Sequence, residues 1–368
     1  MIVGTVKEIK VGENRVGITP SGAGALVKNG QSVLVESGAG RNSGFSDEEY
    51  TRQGAKIAPT AADVWKKSDM VVKVKEPLHP EFEHLRSDLI LFTYLHLAAA
   101  EDVAKALLEK GVAGVAYETV ELEDKSLPLL TPMSEVAGRM SVQVGMHYLE
   151  KTHGGSGKLL AGVPGVLPAT VTIIGSGVVG VNAAQMAHGL AAKTIIVGRN
   201  LNELRRIDEV FHGQVMTLAS NPHNIENAVM QSDLVVGSVA ITGAAAPKLV
   251  TRDMIKKMKP GSVFVDVSID QGGTSETSRP TSHFEPVYVE EGVIHYCVTN
   301  MPGAVPNTST YALTNATLPY ILKIAANGLV DAAKKDLALA KGINTYKGKL
   351  TNEQVGEALK IKHEPLQL

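Results

Sequence analysis

Four ionisable residues stand just beyond apolar, β-favouring runs. Arg15 follows the run 2–6 in Glu13-Asn-Arg15, Lys75 ends 70–74, His96 closes 89–95, and Asp270 lies past 263–267, before Gln271-Gly-Gly273. In open α/β sheets, ligands bind outside the carboxyl ends of the strands, which is where these positions fall. Two cations, an imidazole and a carboxylate suit a small anionic substrate that must lose a proton and a hydride. Histidine fits the proton step, with an unperturbed pKa of about 6.5. Singly, each has a plainer reading: a surface cation, a hydrogen-bonded structural histidine, a turn aspartate. His and Cys do not cluster at ligand spacings, so no metal is expected.

A hydride needs an acceptor, and the sequence offers a place for one. The strand-like Val171-Thr-Ile-Ile runs into Gly175-Ser-Gly177-Val178-Val179-Gly180, followed by a helical pattern and a second strand at 194–197. In this context Gly175 permits the turn, Gly177 lets the backbone approach a pyrophosphate, and Gly180 lets helix and strand pack closely. The helix N-terminus favours the phosphates. The competing reading is a glycine turn that only packs a helix on a sheet. At the second strand's end, where NAD sites carry Asp or Glu, the chain reads Gly198-Arg199-Asn200. The missing carboxylate removes a repulsion and Arg199 offers a planar fork of donors, so NADP is expected to be accepted or preferred over NAD. Arg205 and Arg206 add positive field. Otherwise Arg199 is a solvated surface residue.

The elements that must hold these residues alternate. Strands are expected at 2–6, 32–35, 70–74, 89–93 and 112–116, with helices at 21–29, 47–53, 61–67 and 100–110 between them. A long helix at 135–150 precedes a second series, with strands at 171–174, 194–197, 214–217, 234–237, 262–267 and 293–297. Its helices are 178–190, 201–211, 224–230 and 252–258, and further helices run 309–327 and 329–341. The pattern predicts an α/β chain of two doubly wound, Rossmann-like domains with an active-site cleft between them. The expected substrate domain is 1–130 plus 306–368, and the dinucleotide domain 131–305. The glycine-rich 151–158 fails the phosphate-loop pattern and reads as a flexible connection.

Bulk properties exclude other classes. A net charge of −2 over 368 residues gives no attraction to nucleic acid or anionic membrane. The lone cysteine, Cys297, rules out an internal disulfide and fits a reducing cytoplasm. The N-terminus lacks a signal-peptide pattern, and the apolar stretch 89–100 is too short to span a bilayer.

Six blocks in order carry a resemblance: Lys7-Glu-Ile-Lys10 with Arg15-Val-Gly17, Val74-Lys75-Glu-Pro77, Tyr94-Leu-His96-Leu97, Thr131-Pro-Met133-Ser134-Glu-Val-Ala-Gly138, Ile269-Asp270-Gln-Gly-Gly273 and Asn300-Met301-Pro-Gly-Ala-Val-Pro306. From residue 1 to about 341 the chain resembles the bacterial alanine dehydrogenases. The resemblance implies reversible oxidative deamination of L-alanine to pyruvate and ammonia by a homohexamer. It implies that Arg15 and Lys75 bind the substrate carboxylate and carbonyl oxygen, and that His96 is the general acid/base. Asp270 would assist the water and amine chemistry, with Met133 and Asn300 lining the pocket. Ser134, Gly175, Gly177, Val178, Val179, Gly180, Ser220, Val239, Ile269 and Met301 fall on the family's cofactor contacts. Gly198, Arg199, Asn200 and Ala240 belong to that site too, and here the chain departs from the pattern. The family carries aspartate where Gly198 stands, an aliphatic residue at Arg199, Leu at Ala240 and Pro at Thr242. Two other readings compete: the nucleotide-binding subunit of a transhydrogenase-like complex, whose fold is similar, and a dehydrogenase of another small amino acid.

Overall fold

The computed structural model describes residues 1–239 and 245–367. They divide into two compact units, Met1–Met133 with Val305–Leu368, and Ser134–Ala304.

The first unit supplies β1 (Ile2–Thr5), β2 (Ser32–Glu36), β3 (Lys56–Ala58), β4 (Met70–Val72), β5 (Ile90–Thr93) and β6 (Ala113–Ala116). The second supplies β7 (Thr170–Ile174), β8 (Lys193–Gly198), β9 (Met216–Ala219), β10 (Leu234–Gly237), β11 (Val263–Asp266), β12 (Val287–Glu290) and β13 (Val293–Tyr296). The chain then adds β14 (Ile343–Tyr346) and β15 (Lys349–Leu350) to the first sheet.

The first sheet runs β3-β2-β1-β4-β5-β6-β14-β15, with the first six strands parallel and the last two antiparallel. The second runs β9-β8-β7-β10-β11-β13-β12, parallel except for β12. Both place the first strand at the sheet centre and reverse direction beside it, which is the doubly wound order. The central strands are buried on both faces: every residue of β7, β10 and β11 is buried, as in β4 and β6. Their near-continuous apolar runs follow from cover on both sides. Helices start at side-chain caps: Thr19, Thr60, Asn221 and Thr251 each accept an amide hydrogen from the first turn.

The structure differs from the sequence expectation in several elements. β3 has three residues and little apolar content. β14 carries buried Asn344 and Thr345, whose polarity hides a strand. Thr345 is satisfied across the sheet, donating from Oγ1 to the Val112 carbonyl and accepting the Gly114 amide. β12 joins β13 through Glu291 and Gly292, both at positive φ, the turn that matches strand twist. The helix expected over 329–341 breaks at Asp336, which caps the second piece through the Leu339 amide. The segment 151–158 contains a 3-10 turn, Lys151–His153, and is pinned by the Gly157 amide donating to Leu149 and the Ser156 amide to Gly261.

Candidate functional site

In the first unit, Arg15 lies on the segment after β1 and is buried, 2% exposed. Its Nε and Nη2 donate to the two Glu13 carboxylate oxygens at 2.7 and 2.6 Å. Nη1 lies 2.8 Å from the Met133 sulfur. The fork fixes the guanidinium plane, which a lysine cannot do. Burial alone would raise the Glu13 carboxyl, but the hydrogen bonds and charge of Arg15 outweigh it and hold it down at about 2. Lys75 follows β4. Its backbone is held by Glu8, whose Oε1 accepts the Val74 amide at 2.6 Å and the Lys75 amide at 3.3 Å. Burial, reinforced by the nearby Arg15 charge, lowers the Lys75 ammonium from its ordinary value. Its proton is therefore easier to release than that of a solvated lysine.

His96 lies three residues past β5, at the start of the 3-10 turn Leu97–Ala99, and is exposed. Its backbone is left-handed, with φ 51. That conformation is uncommon for a residue with a side chain, and neighbours must hold it. Glu118, from the turn after β6, accepts the Leu95 amide at 3.1 Å and the His96 amide at 2.5 Å. The His96 ring stacks on Tyr94 with centroids 5.7 Å apart, and the Tyr94 hydroxyl donates to the Leu129 carbonyl at 2.6 Å.

In the second unit, Gly175 follows β7 at φ 121, where an added Cβ would lie 2.6 Å from the Ser238 carbonyl oxygen. A Cβ on Gly180 would lie 1.9 Å from the Gly175 oxygen, so that glycine sets the closeness of helix Val178–Gly189 to the turn. Gly177 caps that helix without a side-chain bond, and a Cβ there would meet no protein atom. Packing does not demand glycine at 177, whereas the close approach of a phosphate would. Val178 and Val179 begin the helix, where backbone N–H groups lack partners within the helix. These residues fit a dinucleotide pyrophosphate.

Around the neighbouring strands, Gly198 ends β8, and its carbonyl accepts the Ser220 amide at 2.8 Å. Arg199 is exposed, and Asn200 caps the next helix through the Asn202 amide. Val239 follows β10 and packs on the core, whereas Ala240 lies outside the described residues. Asp270 is exposed on the 3-10 turn Val267–Gln271 after β11, next to buried Ile269. Asp266 ties that turn, accepting the Thr274 amide at 2.7 Å and the Ser278 hydroxyl at 2.5 Å. Asn300 follows β13 at φ 59, with its carbonyl 3.2 Å from His283 Nε2, and precedes buried Met301. Ser134 is half-buried on helix Thr131–Tyr148.

Sequence reasoning passed over four carboxylates that shape these sites: Glu8, Glu13, Glu118 and Glu203. Glu203 Oε2 accepts the Ser176 hydroxyl inside the glycine turn, at 2.7 Å. Only Glu13, two residues from Arg15, was within reach of a spacing argument. One grouping was not visible in the sequence spacing. His147, Glu150 and His153 do gather, with ligand atoms within 4.8 Å of one another, because the helix end and the 3-10 turn bring i, i+3 and i+6 together. All three are exposed.

Residues 4–137 match the family model described as alanine dehydrogenase/PNT, N-terminal domain, and residues 141–353 match its C-terminal domain. The chain belongs to the alanine dehydrogenase/PNT family. Family members similar along their whole length include the alanine dehydrogenase of Methanococcus maripaludis, 55% identical over 366 residues, 99% of this chain and 98% of that protein. Alanine dehydrogenase 2 of Staphylococcus aureus is 54% identical over 368 residues, 100% of this chain and 99% of that protein. A solved L-alanine dehydrogenase structure superposes with a TM-score of 0.95 at 49% identity, over 98% of this chain and 99% of that one. A transhydrogenase from Sinorhizobium meliloti reaches 0.84 at 23% identity, over 95% and 100%, which speaks for the shared fold alone. As a member of this family, the chain is a nicotinamide-dependent oxidoreductase acting on a CH–NH2 group. Among the described residues no helix is long and apolar enough to cross a membrane.

Proposed function

We propose that the chain catalyses the reversible oxidative deamination of L-alanine to pyruvate and ammonia, accepting or preferring NADP over NAD. The observation that carries the reaction is the buried, carboxylate-locked Arg15 with the Lys75 ammonium close enough to feel its charge. Two cations at the end of a parallel sheet clamp an α-carboxylate and fix the direction of the substrate's Cα–H bond, which converts binding energy into orientation. A nicotinamide bound there would supply the acceptor for the hydride that leaves Cα of the amine, and the substrate carbon is left as an iminium. His96 then serves as the base that activates water to attack that carbon, and returns the proton as ammonia leaves. Lys75 donates a hydrogen bond to the oxygen developing on the tetrahedral carbon. Asp270 assists the water and amine, with Met133 and Asn300 shaping the pocket. Gly175, Gly177 and Gly180 would hold the pyrophosphate, with Ser134, Ser220, Val239, Ile269 and Met301 lining the rest of the dinucleotide site. Arg199, which forms no ion pair among the described residues, serves the adenosine 2′-phosphate. A homohexamer belongs to the same reading and is checked by light scattering.

The deciding experiment is a steady-state assay of pyruvate and ammonia with NADPH and, separately, NADH. Turnover with both, NADPH at least equal, supports the whole reading. Turnover with NADH alone keeps the reaction and rejects the cofactor assignment. Preference for glyoxylate or 2-oxobutyrate over pyruvate would reassign the substrate, and nucleotide binding without turnover would turn the chain into a binding subunit.

A further inference from the structure

The strand-end position that usually carries the ribose-binding carboxylate is Gly198. It lacks a side chain for a packing reason: a Cβ there would lie 2.6 Å from Ser176 Oγ and 2.9 Å from Leu204 Cδ2. The Ser176 side chain, from inside the glycine turn, already fills the place an aspartate would start from. Ser176 is itself bound, donating to Glu203 Oε2 at 2.7 Å. Glu203 is the third residue of helix Leu201–Val210, whose cap is Asn200. An acid at this position ordinarily reaches back to the cap residue's own amide, as Glu49 does to Ser46 in helix Asp47–Arg52. Here no such bond closes, and the carboxylate turns toward the glycine loop instead.

We propose that Glu203 restores, from the helix, the carboxylate that β8 lacks, and so favours the adenosine 2′-hydroxyl while opposing a 2′-phosphate. The proposal rests on the reading of the glycine turn as the dinucleotide site. A half-buried carboxylate beside the turn has one oxygen committed to Ser176, and such an acceptor bonds a ribose hydroxyl well. The same charge repels a doubly ionised phosphate at short range, where little water screens it. Arg199, one residue past Gly198, supplies the opposite sign. Arg205 is turned to Asn202 Oδ1 at 2.6 Å, and Arg206 lies on the same exposed helix. Cofactor choice is thus a contest between Arg199 and Glu203, and the absence of an acid at the strand end does not by itself free the site for NADP.

The test is fluorescence titration of the full-length protein with NADPH and NADH, on the wild type and on Glu203→Gln, Glu203→Ala and Arg199→Ala. Glutamine keeps the shape and an acceptor for Ser176 and removes only the charge. The ratio of the two dissociation constants is expected to move toward NADPH by about tenfold in Glu203→Gln and by a similar factor in Glu203→Ala. An unchanged ratio in Glu203→Gln overturns the proposal. So does a shift confined to Glu203→Ala, because that would be an effect of shape. Arg199→Ala separates the two claims: a selective loss of NADPH there with no response to Glu203→Gln keeps the dinucleotide reading and removes Glu203 from it.

Discussion

Glu118 accepts the backbone amide of His96 at 2.5 Å, and it does so where His96 adopts a left-handed backbone. A carboxylate from the end of one strand therefore holds the strained end of its neighbour, and the imidazole projects from that fixed point. Removing the acceptor releases the strain and the ring together. Glu118→Ala is expected to lower kcat for alanine deamination by tenfold or more, the scale of about 1–3 kcal/mol for a lost bond to a charged group. Dinucleotide affinity should stay, and Glu118→Gln should recover part of the rate, because an amide oxygen still accepts one N–H. If kcat and its pH profile match the wild type in Glu118→Ala, the positioning role is wrong.

Substitution of the acid/base itself gives a cleaner loss. His96→Ala is expected to abolish turnover while NADH still quenches or enhances fluorescence on binding. Near-normal rates would remove His96 from the mechanism.

Glu13 gives a pH signature. Its folded value is about 2 against an ordinary 4.5, so the folded state holds its proton less tightly than the unfolded chain. The resulting stabilisation is fully present above pH 4.5 and is lost as pH falls from there to about 2. Its size is about 3 kcal/mol by linkage. Urea unfolding of the wild type and Glu13→Gln from pH 5 downward should show the two free energies converging. Parallel curves would mean that the Arg15 pair contributes no pH-dependent stability.

Arg199→Ala should weaken NADPH by about 1–3 kcal/mol more than NADH, on the scale of charge-assisted contacts. Equal losses for both cofactors would sink its role at the 2′-phosphate.

Gly198 and Ser176 should behave as a coupled pair. Gly198→Asp alone drives a Cβ into the Ser176 hydroxyl, so it is expected to lower stability and bind both cofactors poorly. Adding Ser176→Gly should recover NADH binding beyond the sum of the single changes, with a coupling of about 1 kcal/mol or more. Additive effects would show that the close approach is relieved elsewhere.

The two doubly wound sheets were legible because parallel strands buried on both faces write themselves as apolar runs between helical patterns. The glycine turn was legible because strand, glycines and helix must be contiguous. Arg15, Lys75, His96 and Asp270 were legible only as strand-end positions. Glu8, Glu118 and Glu203 were not, since each acts on a residue far along the chain, and nothing in the local pattern of a carboxylate says which amide or hydroxyl it will meet. β14 escaped because its buried Asn344 and Thr345 obtain their partners from tertiary structure.

The first sheet draws β1 to β6 from one end of the chain and β14 and β15 from the other. During synthesis, the whole second unit leaves the ribosome before β6 meets its antiparallel neighbour. Until then β6 presents an open edge, a template for pairing with another nascent chain. The contiguous second unit can complete itself in that interval, whereas the first must wait. Slow or interrupted translation beyond Ala304 should therefore cost this protein its solubility before it costs the glycine turn its shape.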